Sequence, residues 1–191
     1  MLNTESNQKG SSLIEVLGVI SIVGILAISA LNIITNIYEL LKVSLATSEI
    51  KDLQKNISGV YNYSGDYEQL FLGDVYKTLC ETDKVAPNQM CVKKDSSYVL
   101  KHRLSGSVVL DKSDDSNGYT ITFGNLSKKN CVKLSQIEWL DRKKISIYQI
   151  DINETEVAHF PKKANKEFPI TATTSSVACN KKENSITWYF Y

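Results

Sequence analysis

One carboxylate, Glu15, stands inside a nineteen-residue apolar run from Leu13 to Leu31, LIEVLGVISIVGILAISAL, in which it is the sole charge. A carboxylate in hydrocarbon costs up to about 3 kcal/mol unless it meets a cation or water, so the chemistry it offers is charge pairing. The other reactive groups are four cysteines and two histidines. Cys80, Cys91, Cys131 and Cys179 form no C-x-x-C motif, and His102 and His159 lie far apart, which argues against a zinc site. An even cysteine count reads as two disulfides. Three pairings are open, of which Cys80–Cys91 with Cys131–Cys179 is the one expected; four buried thiols are the alternative. The chain holds no Gly-rich phosphate loop, H-E-x-x-H, G-x-S-x-G or paired-carboxylate context, so no enzymatic activity, metal or cofactor is expected. With 22 Lys plus Arg against 21 Asp plus Glu, the net charge of +1 supplies no electrostatic reason for a nucleic-acid or acidic partner.

Glu15 needs an element to carry it, and the length of the apolar run identifies that element. About 20 helical residues rising 1.5 Å each cross a hydrocarbon core of about 30 Å, and the apolar character continues through Ile33, Ile34 and Ile37 to Tyr38. A secretory signal peptide cleaved near Ala27, Ser29 and Ala30 is the competing reading. Against it stand the length of the run, Glu15, and a helical pattern that continues past the supposed cleavage point. Beyond Tyr38, Leu41, Leu45, Ile50, Leu53, Ile57 and Val60 or Tyr61 recur among Glu39, Lys42, Glu49, Lys51, Asp52 and Lys55, the signature of a helix lying on a core. Pro87, Pro161 and Pro169 all lie downstream, so one helix from Ser12 to about Tyr61, roughly 75 Å long, is expected. Gly59 and Tyr63-Ser64-Gly65-Asp66 supply its stop signals.

Upstream of the apolar run come a polar leader and then Gln8, Lys9 and Gly10. Lys9-Gly10 followed by Ser11-Ser12-Leu13-Ile14-Glu15-Val16-Leu17 resembles the class III prepilin signal of type IV pilins and pseudopilins. The resemblance implies that a prepilin peptidase cuts between Gly10 and Ser11, that Ser11 becomes an N-methylated amino terminus, and that Glu15 is the assembly glutamate. It divides the chain into a leader, 1–10, a transmembrane and polymerisation helix, 11–38, and a globular domain, 39–191. Ser11 departs from the phenylalanine that many pilins place there, which points to the type IVb and conjugative thin-pilus group. The implied protein resides first in the inner membrane and then in a surface filament of identical subunits, serving adhesion, aggregation, motility or conjugative DNA transfer. A host receptor or DNA would be the outside partner. The alternatives are a pseudopilin of a type II secretion system and a minor pilin that binds a ligand.

Downstream, Tyr67, Leu70, Phe71, Val75 and Leu79 suggest a short helix leading into Cys80. Tyr98–Leu100, Ser107–Leu110 and Tyr119–Phe123 read as an antiparallel meander, with Asp114–Gly118 as a turn. Ser127 is a candidate N-cap for a helix through Cys131, Leu134, Ile137 and Leu140. Ile145, Ile147, Ile150 and Ile152 form a strand that needs a bulge or burial on both faces, and Ile186–Tyr191 a final strand inside the sheet. The expected architecture is α+β, the pilin fold, with a long helix across an antiparallel sheet. By resemblance, Cys131 and Cys179 bound the D-region that carries pilin contacts. Within it, His159–Thr174 reads as an exposed loop and is the first choice for a contact surface, while the paired lysines read as solvated surface.

Overall fold

The computed structural model describes residues 6–61, 67–82, 84–113, 118–139, 147–160 and 168–191, with side chains from Leu13 onward except that of Asn32. The expected turns at Tyr63–Asp66 and Asp114–Asn117, together with Leu140 and Ile145, lie outside the described residues. The chain divides into two compact units, Met1–Leu41 and Lys42–Tyr191. Helix α1, Ser6–Tyr61, enters both. It begins earlier than the expected Ser12 and reads through Gly59, because a lone glycine weakens a helix by only about 1 kcal/mol.

Within the first unit every large apolar side chain from Leu13 to Leu41 is more than half exposed. Two of its serine hydroxyls close on their own backbone: Ser21 Oγ donates to the Leu17 carbonyl at 2.8 Å and Ser29 Oγ to Ile25 at 2.9 Å. Such bonds satisfy polar atoms without water, as hydrocarbon surroundings require.

In the second unit α1 buries Val43, Ala46, Ile50, Leu53, Ile57 and Tyr61, three or four residues apart, the row that a 3.6-residue period brings to one face. The expected stripe was partly out of phase. Leu41, Leu45 and Val60 stay exposed, at 55%, 47% and 50%. Leu45 lies about a third of a turn from that row at 100° per residue, and smaller Val43 and Ala46 take the core positions.

Past α1, the segment expected as one short helix is broken. A 3-10 turn spans Tyr67–Phe71, Gly73 adopts φ +82°, and helix α2, Val75–Lys77, then opens into a wider turn over Thr78–Thr82. Asp74 caps α2, accepting from the Lys77 amide at 3.0 Å.

Among the described residues seven antiparallel strands follow: β1 Cys91–Lys94, β2 Ser97–Lys101, β3 Ser107–Lys112, β4 Tyr119–Leu126, β5 Ile147–Ile152, β6 Thr155–His159 and β7 Asn184–Phe190. Their order is β1-β2-β3-β4-β7-β5-β6. The final strand is thus interior, with Trp188 facing Ile121 of β4 on one side and Ile150 of β5 on the other. β5 carries the anticipated irregularity, a register shift against β7 between Ile147 and Gln149. Asn153 and Glu154, at φ +54° and +69°, form the two-residue β5–β6 turn, the conformation of a primed hairpin. One face of the sheet, with Val108, Leu110, Tyr119, Ile121, Phe123, Ile186, Trp188 and Phe190, shares a single core with the buried row of α1. The fold is α+β, a long helix packed on a seven-stranded antiparallel sheet, with disulfides joining Cys80 to Cys91 and Cys131 to Cys179.

Helix α3, Lys128–Ser135, starts where Ser127 Oγ accepts from the Asn130 amide at 3.3 Å, and ends before Ile137. The His159–Thr174 segment is not the single exposed loop expected. His159 ends β6, Phe168 and Ile170 are buried, and Ala172 opens helix α4, Ala172–Ala178, capped by Thr171. Phe168 and Ile170 belong to the core, while residues 161–167 lie outside the described residues.

The β2–β3 turn shows why one glycine cannot be replaced. A Cβ on Gly106 would lie 2.1 Å from the Gly124 carbonyl oxygen and 2.3 Å from His102 Nε2. Gly106→Ala is expected to cost about 3 kcal/mol by overpacking. Gly59→Ala, in a helix with nothing within 4 Å of the added methyl, should gain about 1 kcal/mol. Both tryptophans, Trp139 and Trp188, are buried, so denaturant unfolding followed by their fluorescence measures the difference.

Candidate functional site

Glu15 sits on α1 with Val16, Val19 and Ile20, which line a shallow hollow on the helix surface. Around it, Leu13, Ile14, Leu17 and Ile22 are 56–73% exposed. Among the described residues no cation pairs with it. The α1 backbone includes Gly10 and Ser11, so Ser11 precedes Glu15 by four helical residues, about 6 Å of rise, and the two positions share one helix face. The arrangement offers an apolar surface able to pack against lipid or similar helices, with one acidic group that needs a cation supplied from elsewhere.

A second cluster lies around Cys131 and Cys179. The disulfide links α3 to the residue after α4, and Ser135 Oγ donates to Ser175 Oγ at 2.8 Å beside it. Asn184, 1% exposed, donates from Nδ2 to the carbonyls of Leu126 and Lys181, and its Oδ1 accepts from the Lys181 amide and from Asn153 Nδ2. Asn153 also donates to the Ala178 carbonyl and accepts from the Ser185 amide. An amide pair bonded in this way, with Asn184 buried, locks the β5–β6 hairpin to β7 and to the end of α4. Between hairpin and helix opens a groove of about 600 Å³ whose wall includes Val157, Val177, Asn153 and Lys181. These asparagines have no sequence signal, because apart from Lys181 their partners lie 25–58 residues away.

The chain's remaining titratable groups in the core are structural. Glu49, on the sheet-facing part of α1, accepts from the Arg103 backbone amide and from Arg103 Nε, both at 2.9 Å. Burial pushes the Glu49 carboxyl above the usual carboxylate range, and the two Arg103 bonds pull it back in part. His102 has both ring nitrogens engaged with backbone: Nδ1 accepts from the Leu104 amide at 3.2 Å, and Nε2 donates to the Gly124 carbonyl at 2.9 Å. That pair of partners fixes the neutral Nε2–H tautomer. Burial holds its pKa below the ordinary histidine value, the Gly124 bond acting in the opposite direction. Among the described residues no three metal-ligating side chains cluster.

A family model described as PilS N terminal matches residues 41–190. The prokaryotic N-terminal methylation motif matches residues 6–31, a span that contains Gly10, Ser11 and Glu15. No curated protein matches. Among solved structures, the crystal structure of type IV b pilin from Salmonella typhi aligns at 18% identity and a TM-score of 0.48, covering 74% of this chain and 96% of that one.

Proposed function

The chain belongs to the PilS N-terminal family and carries the N-terminal methylation motif, and from that premise we propose that it is the structural subunit of a type IVb pilus filament. The observation that carries the reading is the first unit: eighteen large apolar side chains between Leu13 and Leu41, each more than half exposed, around the single carboxylate of Glu15. That surface is stable only in lipid or against other copies of itself. The precursor therefore resides in the inner membrane, residues 11–38 spanning it, and the filament forms when prepilin peptidase has removed residues 1–10.

The charge logic follows from the new amino terminus. Cleavage between Gly10 and Ser11 leaves a primary α-ammonium on Ser11, and N-methylation to a secondary amine keeps that charge. In a filament core of packed helices, the amine of one subunit meets Glu15 of a neighbour, and each ion lowers the burial cost of the other. Mispaired registers leave two unpaired charges in an apolar core, so the pair selects one axial stagger. Adhesion, aggregation, motility or conjugative DNA transfer is then a property of the outer surface, on which the groove beside α4 is one recess.

The reading is tested by mass spectrometry of the mature protein. The expected amino terminus is Ser11 bearing one extra methyl group; an amino terminus after Ala30 would identify an ordinary secreted domain and end the filament reading. Sheared surface filaments rich in this chain support a major subunit over a pseudopilin, which would be absent from them.

A further inference from the structure

We propose that the β2–β3 turn, His102–Gly106, is an acid-sensitive latch on α1, held closed by neutral His102 and opened when that imidazole takes up a second proton. The turn closes through the His102 amide to Gly106 O at 3.1 Å and the Ser105 amide to His102 O at 2.9 Å. Its tip presents Arg103, whose backbone amide and Nε both seize Glu49 on α1. The imidazole sits inside the turn, 3% exposed, stacked on Phe123 with ring centroids 4.7 Å apart and planes 13° off parallel. Gly106 leaves no room on the other side, its missing Cβ being all that separates it from Nε2. Nothing in this seat can reorganise cheaply around a second ring proton.

Protonation at Nδ1 replaces the acceptor of the Leu104 amide by a donor, so two N–H groups 3.2 Å apart face each other and a cation sits in an apolar stack. The charged groups bordering the seat are Arg103 on the turn itself and Glu49 from α1; β4 contributes Phe123 and Gly124, neither of which titrates. The two titratable side chains act in opposite senses. His102, with its folded value below 6.5, binds its proton more readily when the turn is open, so the closed turn loses stability as pH falls below 6.5. Glu49, raised above 4.5, takes up its proton more readily in place and so favours the fold as pH falls toward 4.5. Global melting therefore averages the two, and the latch is visible only locally.

Amide hydrogen exchange on the full mature chain in detergent micelles provides that local view, with protection factors corrected for intrinsic pH dependence. Between pH 7.5 and 4.5 the Arg103 and Leu104 amides are expected to lose at least tenfold protection, while amides in the centre of β4 and β7 do not. The midpoint should coincide with the NMR titration of the His102 ring. In His102→Gln, which keeps an N–H donor and has no titration, the same amides should show no pH-dependent loss. The proposal is overturned if wild-type turn protection is flat while the His102 ring titrates, if the ring and amide midpoints differ, or if His102→Gln loses protection as the wild type does. Should His102→Gln fail to fold, the comparison of wild-type midpoints decides alone.

Discussion

Glu15→Ala is expected to remove the subunit from filaments while leaving its globular domain intact. Breaking one buried ion pair leaves the partner charge uncompensated, at a cost of about 3–5 kcal/mol, and every tenfold change in an assembly constant corresponds to about 1.4 kcal/mol. Incorporation into sheared filaments should therefore fall by about 100-fold or more. The second unit contains none of the first unit's exposed apolar surface, so denaturant unfolding monitored by Trp139 and Trp188 should shift by less than about 0.5 kcal/mol. Glu15→Gln, which keeps the shape and loses the charge, should fail as the alanine variant does. Normal incorporation of either variant would remove charge pairing from the mechanism and leave only apolar packing.

The second large effect concerns the Cys131–Cys179 bond, which spans 48 residues, against 11 for Cys80–Cys91. In the chain-entropy account the longer loop contributes about 4 kcal/mol and the shorter about 3 kcal/mol. Cys131 and Cys179 are also fully buried, so double replacement by alanine adds unfilled volume to lost cross-linking. Cys131→Ala/Cys179→Ala is expected to lower the urea midpoint by about 2 M or more, taking a slope of about 2 kcal/mol/M. Cys80→Ala/Cys91→Ala should cost less. The reverse ranking would mean that the Asn153–Asn184 lock, rather than the disulfide, holds the C-terminal region together.

The sequence disclosed what repeats locally and concealed what depends on distant partners. The apolar run from Leu13 made the helix and its membrane-length surface legible, since a single charge stands among nineteen consecutive residues. The phase of the buried stripe was not: Leu45 outranks Ala46 in hydrophobicity, yet the sheet selects a face by shape, and Ala46 is the residue fully buried. Ser127 announced α3 as a cap, whereas α4 reads ATTSSVA, a run of weak helix formers held by Thr171 and by Ser175 against Ser135. β1 and β6 went unread because Cys91–Lys94 and Thr155–His159 carry little strand patterning and pair at the two margins of the sheet. Glu49 looked like solvated surface, and only the fold brings Arg103, 54 positions later, against it.

β7 emerges after every other strand yet lies between β4 and β5. Until residues 184–190 arrive, the nascent domain consists of two separate ribbons, each with a bare margin of backbone donors and acceptors suited to pairing with the wrong chain. Closure of the sheet is therefore a proofreading step for completeness: a copy truncated by a handful of residues cannot merely fray at its border, and is left for chaperones and proteases to clear.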